Sequence, residues 1–249
     1  MMKIGVVGAT GRTGRHVVEA VRECPECVLH AAIVSSQSSA LGRVVEGTSI
    51  SFSDSLVSLA GCEVVIEFTN PETSVGVVAA CAAAQVPVLV ATTGHSQAQL
   101  AAIQGFGEKI AVGVTPNTSV GAAALSVLAA RAKELLGTGF DIEVMEIHHK
   151  MKKDAPSGTA RSVISAMEGE SPVVFGREGL RTDGEIGVVS LRGGDVPGDH
   201  TVYFLGHGER IELAHKVSSR EVFGRGAVSM AQRLSKKAPG VYSPRDLLG

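Results

Sequence analysis

The 249-residue chain has no excess of charge, with 23 Lys and Arg set against 25 Asp and Glu. Without a basic surplus, neither nucleic acid nor an anionic membrane is favoured as its main partner. An apolar run long enough to span a bilayer is also missing. The longest candidate, Val75 to Ala91, is interrupted by Gln85 and Pro87 and reads as a helix followed by a strand. The start, MMKIGVVGATG, reaches its glycine turn too early for the hydrophobic region of a signal peptide. A soluble, cytoplasmic protein is the expectation.

Cysteine is scarce and confined to the first third: Cys24, Cys27, Cys62 and Cys81. Cys24 and Cys27 form a C-x-x-C, the spacing of a redox pair or of half a zinc site. No second pair stands at metal-ligand spacing, so the four read as incidental thiols in a reducing compartment. Internal repeats and low-complexity linkers are absent as well. What the chain has in quantity is glycine, 30 residues, on a background of 44% hydrophobic and 19% charged residues. That composition supports a substantial core, and the length suits one or two domains.

Apolar, β-branched runs at Lys3–Val7, Val28–Val34, Val64–Phe68, Pro87–Ala91 and Ile110–Val114 read as strands, with helical patterns between them. Asn70-Pro71 starts one of these helices, and Ser96 has the position of an N-cap for another. Strands alternating with helices across short turns predict a parallel sheet wound on both faces. After about Asn117 the pattern changes. A helix over Gly121–Leu136 is followed by Asp141–Ile147, which alternates as a half-buried strand does. Further strands are predicted at Val173–Phe175, Ile186–Arg192, Thr201–Leu205 and Glu209–Ala214, separated by glycine-rich turns. The fold class is therefore α/β, with a Rossmann-like dinucleotide-binding domain over 1–118 and 220–249. A second, α+β domain over 119–219 is expected to carry an open, mixed, largely antiparallel sheet. The helical segment Arg220–Ser235 is expected to pack back on the first domain.

The first strand runs into Gly8-Ala9-Thr10-Gly11-Arg12-Thr13-Gly14, a G-x-x-G-x-x-G turn opening a helix. Glycines let a backbone approach a pyrophosphate, and the helix start presents amides and a positive dipole end to it. A glycine pattern alone is weak, but this one lies between a strand and a helix, where the mechanism requires it. The acid that would bind a ribose 2′-hydroxyl at the end of the second strand is missing; Val34, Ser35 and Ser36 stand there. No carboxylate repels a 2′-phosphate, the hydroxyls of Ser35 and Ser36 can bond one, and Arg12 adds charge. NADPH is expected to be accepted, without excluding NADH.

Glu146 to Asp154 places His148, His149, Lys150, Lys152 and Lys153 just past a strand end. Such a density of cations in a near-neutral chain points to an anionic substrate. No third histidine or cysteine stands nearby at zinc spacing, so no metal is expected. Ser157 is a natural N-cap, and Gly158 and Thr159 follow it as first-turn donors able to bind a carboxylate.

The segment E-x-H-H-x-x-K-x-D-A-P-S-G-T-A, Glu146 to Ala160, resembles the signature of the 4-hydroxy-tetrahydrodipicolinate reductases, formerly called dihydrodipicolinate reductases. The likeness extends through GATGRTG at 8–14, VVIEFTNPE at 64–72, ATTG at 91–94 and PNTSVG at 116–121. It continues in GREG at 176–179, EIG at 185–187, RGGDVPGDHTV at 192–202, GERIELAH at 208–215 and the ending VYSPRDLLG. The resemblance implies reduction of a cyclic imine dicarboxylate with loss of water, in lysine and diaminopimelate biosynthesis. It implies His148 and Lys152 as the acid–base pair, and His149, Gly158 and Thr159 as carboxylate binders. On the cofactor side it implies Gly8, Ala9, Thr10, Gly11, Arg12 and Thr13 at the pyrophosphate. Ala91, Thr92, Thr93, Thr115, Pro116, Asn117 and Thr118 would flank the nicotinamide, and a homotetramer would be built through the second domain's sheet. Three departures stand out: Thr13 where the family has methionine, Ala91 where it has glycine, and the missing acid after the second strand. The rival readings are a non-catalytic nicotinamide sensor and another two-domain amino-acid-pathway dehydrogenase. A sensor has no need of the His148–Lys152 cluster. An aspartate-semialdehyde type needs a nucleophilic cysteine beyond Cys81.

Overall fold

The computed structural model describes residues 1–167, 169 and 171–248; Glu168, Glu170 and Gly249, which fall in the two expected domains, lie outside the described residues. In chain order the elements are β1 (Met2–Val7), α1 (Gly14–Glu23), β2 (Cys27–Ile33), β3 (Phe52–Ser53), β4 (Val64–Glu67), α2 (Pro71–Ala83), β5 (Val88–Val90), α3 (Gln97–Gly105) and β6 (Ala111–Val114). There follow α4 (Val120–Leu136), β7 (Asp141–His148), α5 (Gly158–Met167), β8 (Val173–Phe175), β9 (Ile186–Arg192), β10 (Asp199–Leu205), β11 (Arg210–Lys216), α6 (Glu221–Leu234) and β12 (Gly240–Tyr242). The chain divides into two compact units, one of residues Met1–Val120 with the segment from Arg220 onward, the other Gly121–Ser219. No described helix is long and apolar enough to cross a membrane.

In the first unit the expected parallel sheet is present, in the order β12-β6-β5-β4-β1-β2-β3. Its central strands are buried on both faces, which is why they read as unbroken apolar runs instead of alternating ones. One face packs Val65, Val88, Val90 and Val112 against Val77, Val78, Cys81 and Ile103 of α2 and α3. Local signals set the helix starts. Asn70 accepts the Thr73 amide at 2.9 Å with Pro71 following it, and Ser96 with Gln99 forms a capping box. Because β1 has β4 on one side and β2 on the other, its carboxyl end is the switch point of the sheet, where ligand crevices form in such folds. Five strands are expected here from the apolar runs. The two further edge strands, β3 and β12, span two and three residues and owe their pairing to β2 and β6 rather than to any apolar pattern of their own.

The second unit contains the open sheet β11-β10-β7-β9-β8, with α4 and α5 supplying Leu125, Ala129, Val163, Ile164 and Met167 to its core. The sheet is mixed, as expected, but not largely antiparallel. β10 pairs antiparallel with β7 and β11, whereas β9 pairs parallel with both β7 and β8. The cause is the return path. After β7 the chain runs through α5 to reach β8, and the segment between β8 and β9, with positive φ at Gly176, Gly179 and Gly184, brings it back to the starting edge. Glycine-rich connections that look like hairpin turns here serve as crossovers.

Candidate active site

The glycine turn lies at the carboxyl end of β1. Gly8 has φ +81°, and a Cβ there would lie 2.0 Å from the carbonyl oxygen of Phe68. A Cβ on Gly14 would lie 1.9 Å from the carbonyl oxygen of Gly8. Only hydrogen fits at either position, so the turn stays close to the sheet and its outer side stays open. The amides of Gly8 and Ala9 both donate to the Ile33 carbonyl, at 2.9 and 3.0 Å, which fastens the turn to β2. Thr13 makes no side-chain cap bond to α1, and Arg12 is exposed beside the helix start. A glycine turn held this close to the sheet, leading into a helix start with no side-chain cap, fits a pyrophosphate.

Two further loops leave the same edge of this sheet, after β5 and β6. The Ala91 amide donates to the Glu67 carbonyl at 2.9 Å, and the buried Thr92 hydroxyl donates to the Glu67 carboxylate at 2.7 Å. Thr93 is exposed. In the next loop the Thr115 amide donates to the Val90 carbonyl at 2.9 Å and its hydroxyl to the Asn117 carbonyl at 2.6 Å. Pro116 is exposed, Asn117 accepts the Ser119 amide at 2.8 Å, and Thr118 donates to the Phe223 carbonyl at 2.8 Å. The order β6-β5-β4-β1 thus aligns both loops with the glycine turn along one edge. Ser35 is exposed just past β2, and its hydroxyl oxygen accepts the Gln37 amide at 3.3 Å.

In the second unit, strand alternation puts Glu146 and His148 on the same, helix-covered face of β7. Glu146 is fully buried and accepts a hydrogen bond from Nδ1 of His148. Arg192, from the end of β9, grips the same carboxylate with both Nη atoms, at 2.9 and 2.8 Å. The Ser157 amide reaches it at 3.2 Å. Burial opposes the charge on Glu146, but the hydrogen bonds from His148, Arg192 and Ser190 outweigh it and hold the carboxyl well below the usual carboxylate range. An ionised carboxylate can only accept, so Nδ1 of His148 carries a hydrogen and Nε2 is left to exchange protons. A Cβ on Gly198 would lie 2.8 Å from Nε2; glycine there keeps the nitrogen uncovered.

Ser157 caps α5, accepting the Ala160 amide at 3.2 Å, and its hydroxyl meets Nε2 of His200 at 3.0 Å. The rings of His148 and His200 stand edge to face at 5.1 Å. Burial first, and then neighbouring His148, pushes His200 down to about 3, so it is neutral near pH 7. Gly158 and the buried Thr159 begin α5 directly after the cap. His149 is half-buried, with its amide on the Val196 carbonyl at 2.8 Å. Lys152 does not join the His148 network: its Nζ pairs with Asp154 at 2.9 Å. Among the described residues, no group of three or more His, Cys, Asp or Glu is arranged to hold a metal ion.

Family models for the N-terminus and the C-terminus of dihydrodipicolinate reductase match residues 2–118 and 121–248. The chain belongs to the dihydrodipicolinate reductase family. A 4-hydroxy-tetrahydrodipicolinate reductase of Thiobacillus denitrificans is 40% identical over 100% of this chain and 98% of the relative. One from Anaeromyxobacter dehalogenans is 41% identical at the same coverage. Among solved structures, a dipicolinate-bound dihydrodipicolinate reductase from Paenisporosarcina superposes with a TM-score of 0.79, covering 98% of this chain and 97% of that one at 23% identity. The fold is therefore shared with a dihydrodipicolinate reductase across both units.

Glu146, Arg192, Gly198 and His200 are not among the site residues expected from the sequence, although all four lie within segments that resemble the reductase family. The signal for Glu146 was present. It stands two residues before His148 in an alternating strand, so both side chains must share a face. Arg192 and His200 carry no such signal, because strand pairing, not spacing, brings them to β7: Arg192 lies opposite His148, and His200 opposite Glu146.

Proposed function

We propose that this chain reduces 4-hydroxy-tetrahydrodipicolinate to tetrahydrodipicolinate with loss of water, using NADPH or NADH, in diaminopimelate and lysine biosynthesis. The observation that carries the reading is the His148–Glu146–Arg192 network beside the start of α5, in a chain matched from end to end by relatives of that name. The net change takes in one hydride and one proton and releases one water. When bound, the reduced nicotinamide supplies the hydride.

The chain's own residues supply the rest. Glu146 orients His148 and fixes its tautomer, and Nε2 serves the proton transfer. Lys152, held by Asp154, is the second proton donor of the pair. His149, the Gly158 amide and the Thr159 amide and hydroxyl hold the substrate carboxylates at the α5 start. Gly8, Ala9, Thr10, Gly11, Arg12 and Thr13 hold the pyrophosphate, while Ala91–Thr93 and Thr115–Thr118 flank the nicotinamide. With Ser35 in place of an acid, neither nicotinamide cofactor is repelled. The dinucleotide is thus assigned to the first unit and the dicarboxylate to the second.

A sensor leaves the His148 network unexplained. An aspartate-semialdehyde dehydrogenase from Vibrio cholerae shares the fold alone, at 14% identity and a TM-score of 0.58, and this chain has no cysteine after Cys81 to act as its nucleophile. The protein works in the cytoplasm as a homotetramer. The assembly is supported by the sheet face opposite α4 and α5, where Met145, Ile147, Val189 and Leu191 are only partly covered and Val189 and Leu191 remain 43% exposed. Light scattering on the purified protein tests it.

The Paenisporosarcina reductase binds dipicolinate, a planar ring with two carboxylates. Calorimetric titration of this protein with dipicolinate in the presence of NADPH tests the substrate assignment. Binding that weakens in Thr159→Ala is expected; no binding to the wild type would sink it.

A further inference from the structure

The first unit contains one buried acid that the proposed chemistry does not use. Glu67 ends β4, is fully buried, and forms no ion pair among the described residues. Its strand neighbours are Val64, Val65 and Ile66, and another aliphatic side chain would extend that core without the cost of burying a carboxyl group. Hydroxyls and an amide satisfy it instead. Oε1 accepts the Thr69 amide at 2.8 Å, the Thr69 hydroxyl, and the Thr92 hydroxyl at 2.7 Å. Oε2 accepts the Ser74 hydroxyl of α2 at 2.9 Å.

The two oxygens therefore serve different parts of the fold. Oε1 draws together the loop after β4 and the loop after β5, and the Thr92 hydroxyl that donates to it also accepts the Thr69 amide at 2.8 Å. The main chain repeats the connection, since the Glu67 carbonyl accepts the Ala91 amide at 2.9 Å. The next residue, Phe68, presents the carbonyl that leaves no room for a side chain at Gly8. Three loops of the cofactor edge thus converge on Glu67 and Phe68. Oε2 only fastens the strand to α2.

We infer that Glu67 is a positioning residue for the nicotinamide dinucleotide, holding the Thr69 and Thr92 loops in their binding arrangement through Oε1. This rests on the reading that the Ala91–Thr93 loop flanks the nicotinamide. Once Oε1 is removed, the loops occupy the binding arrangement for only a fraction of the time, and apparent affinity falls by that fraction.

The test is fluorescence titration of NADPH into wild type and variants, with thermal melting alongside. Glu67→Ala should raise the NADPH Kd about tenfold, as for loops correctly placed about one-tenth of the time. Glu67→Gln keeps an acceptor at the Oε1 position while its amide faces Ser74, whose hydroxyl can turn to accept. Its Kd should stay within about twofold of wild type at a lower Tm. Ser74→Ala should also lower Tm and leave Kd unchanged. If Glu67→Ala does not fold, Glu67→Asp, one methylene short of the loops, carries the test and should raise Kd. An unchanged Kd in whichever of these two folds overturns the inference, as does a Ser74→Ala variant that raises Kd equally. Wild type that binds no NADPH would instead overturn the reading of the cofactor site itself.

Discussion

Glu67 in the first unit and Glu146 in the second are both fully buried at the carboxyl half of a strand, but they are satisfied by opposite means. Glu67 is surrounded by hydroxyls and an amide, and Glu146 by a guanidinium and an imidazole. Neutral donors can arrange loops and add no charge of their own. A cation and a titratable ring create a field, aim a proton-bearing nitrogen, and set how the site responds to pH. The contrast matches the two tasks assigned here, a binding edge held in shape and a reaction centre held in charge balance.

The largest expected effect comes from removing the cation on one side of this contrast. Arg192→Leu leaves the Glu146 carboxylate buried without its cation, and should cost about 3–5 kcal/mol in urea unfolding at neutral pH. Unchanged stability would show that Arg192 does not hold Glu146. Next, His148→Gln should lower kcat by roughly 10² while NADPH binding is kept, as expected for a lost acid–base group. Near wild-type turnover would remove His148 from that role.

Acid should discriminate the second unit's site by stability. His200 sits near 3 against an ordinary 6.5, so the folded state resists its protonation, and stability present above 6.5 is lost as pH falls toward 3. Glu146 is depressed as well, so its contribution is present above the ordinary carboxylate range and is lost below it, in the same direction. The groups facing His200 are His148 and Glu146 on β7, His215 on β11, Lys152 in the following loop and Ser157 at the start of α5. Between the ordinary carboxylate range and pH 6.5, His200 should contribute a slope of up to about 1.4 kcal/mol per pH unit in chemical unfolding, and His200→Asn should reduce the slope by that much. An equal slope in the variant would assign the acid response elsewhere. The smallest effect is expected for Thr159→Ala, which should raise KM severalfold with kcat little changed; an unaltered KM removes Thr159 from the substrate site.

Much of this was legible in the residues. The apolar runs marked the buried parallel strands, and the glycine spacing between strand and helix marked the turn at Gly8. The density of histidine and lysine marked the candidate site at the end of β7. What escaped depended on pairing across distance. Arg192 and His200 reach Glu146 only because β9 and β10 flank β7, and no local pattern records which strands become neighbours. The same reason makes half of the strand pairs in the second sheet parallel, where a mixed but largely antiparallel sheet is expected. Glu67 lay in an apolar run and looked like its end, since its partners Thr92 and Ser74 come from other segments.

The most direct measurement supplies the purified protein with the product of pyruvate–aspartate-semialdehyde condensation and follows oxidation of NADPH and NADH separately. Oxidation of NADPH, with or without NADH, in step with formation of tetrahydrodipicolinate is the predicted result. Oxidation of neither cofactor would contradict the account.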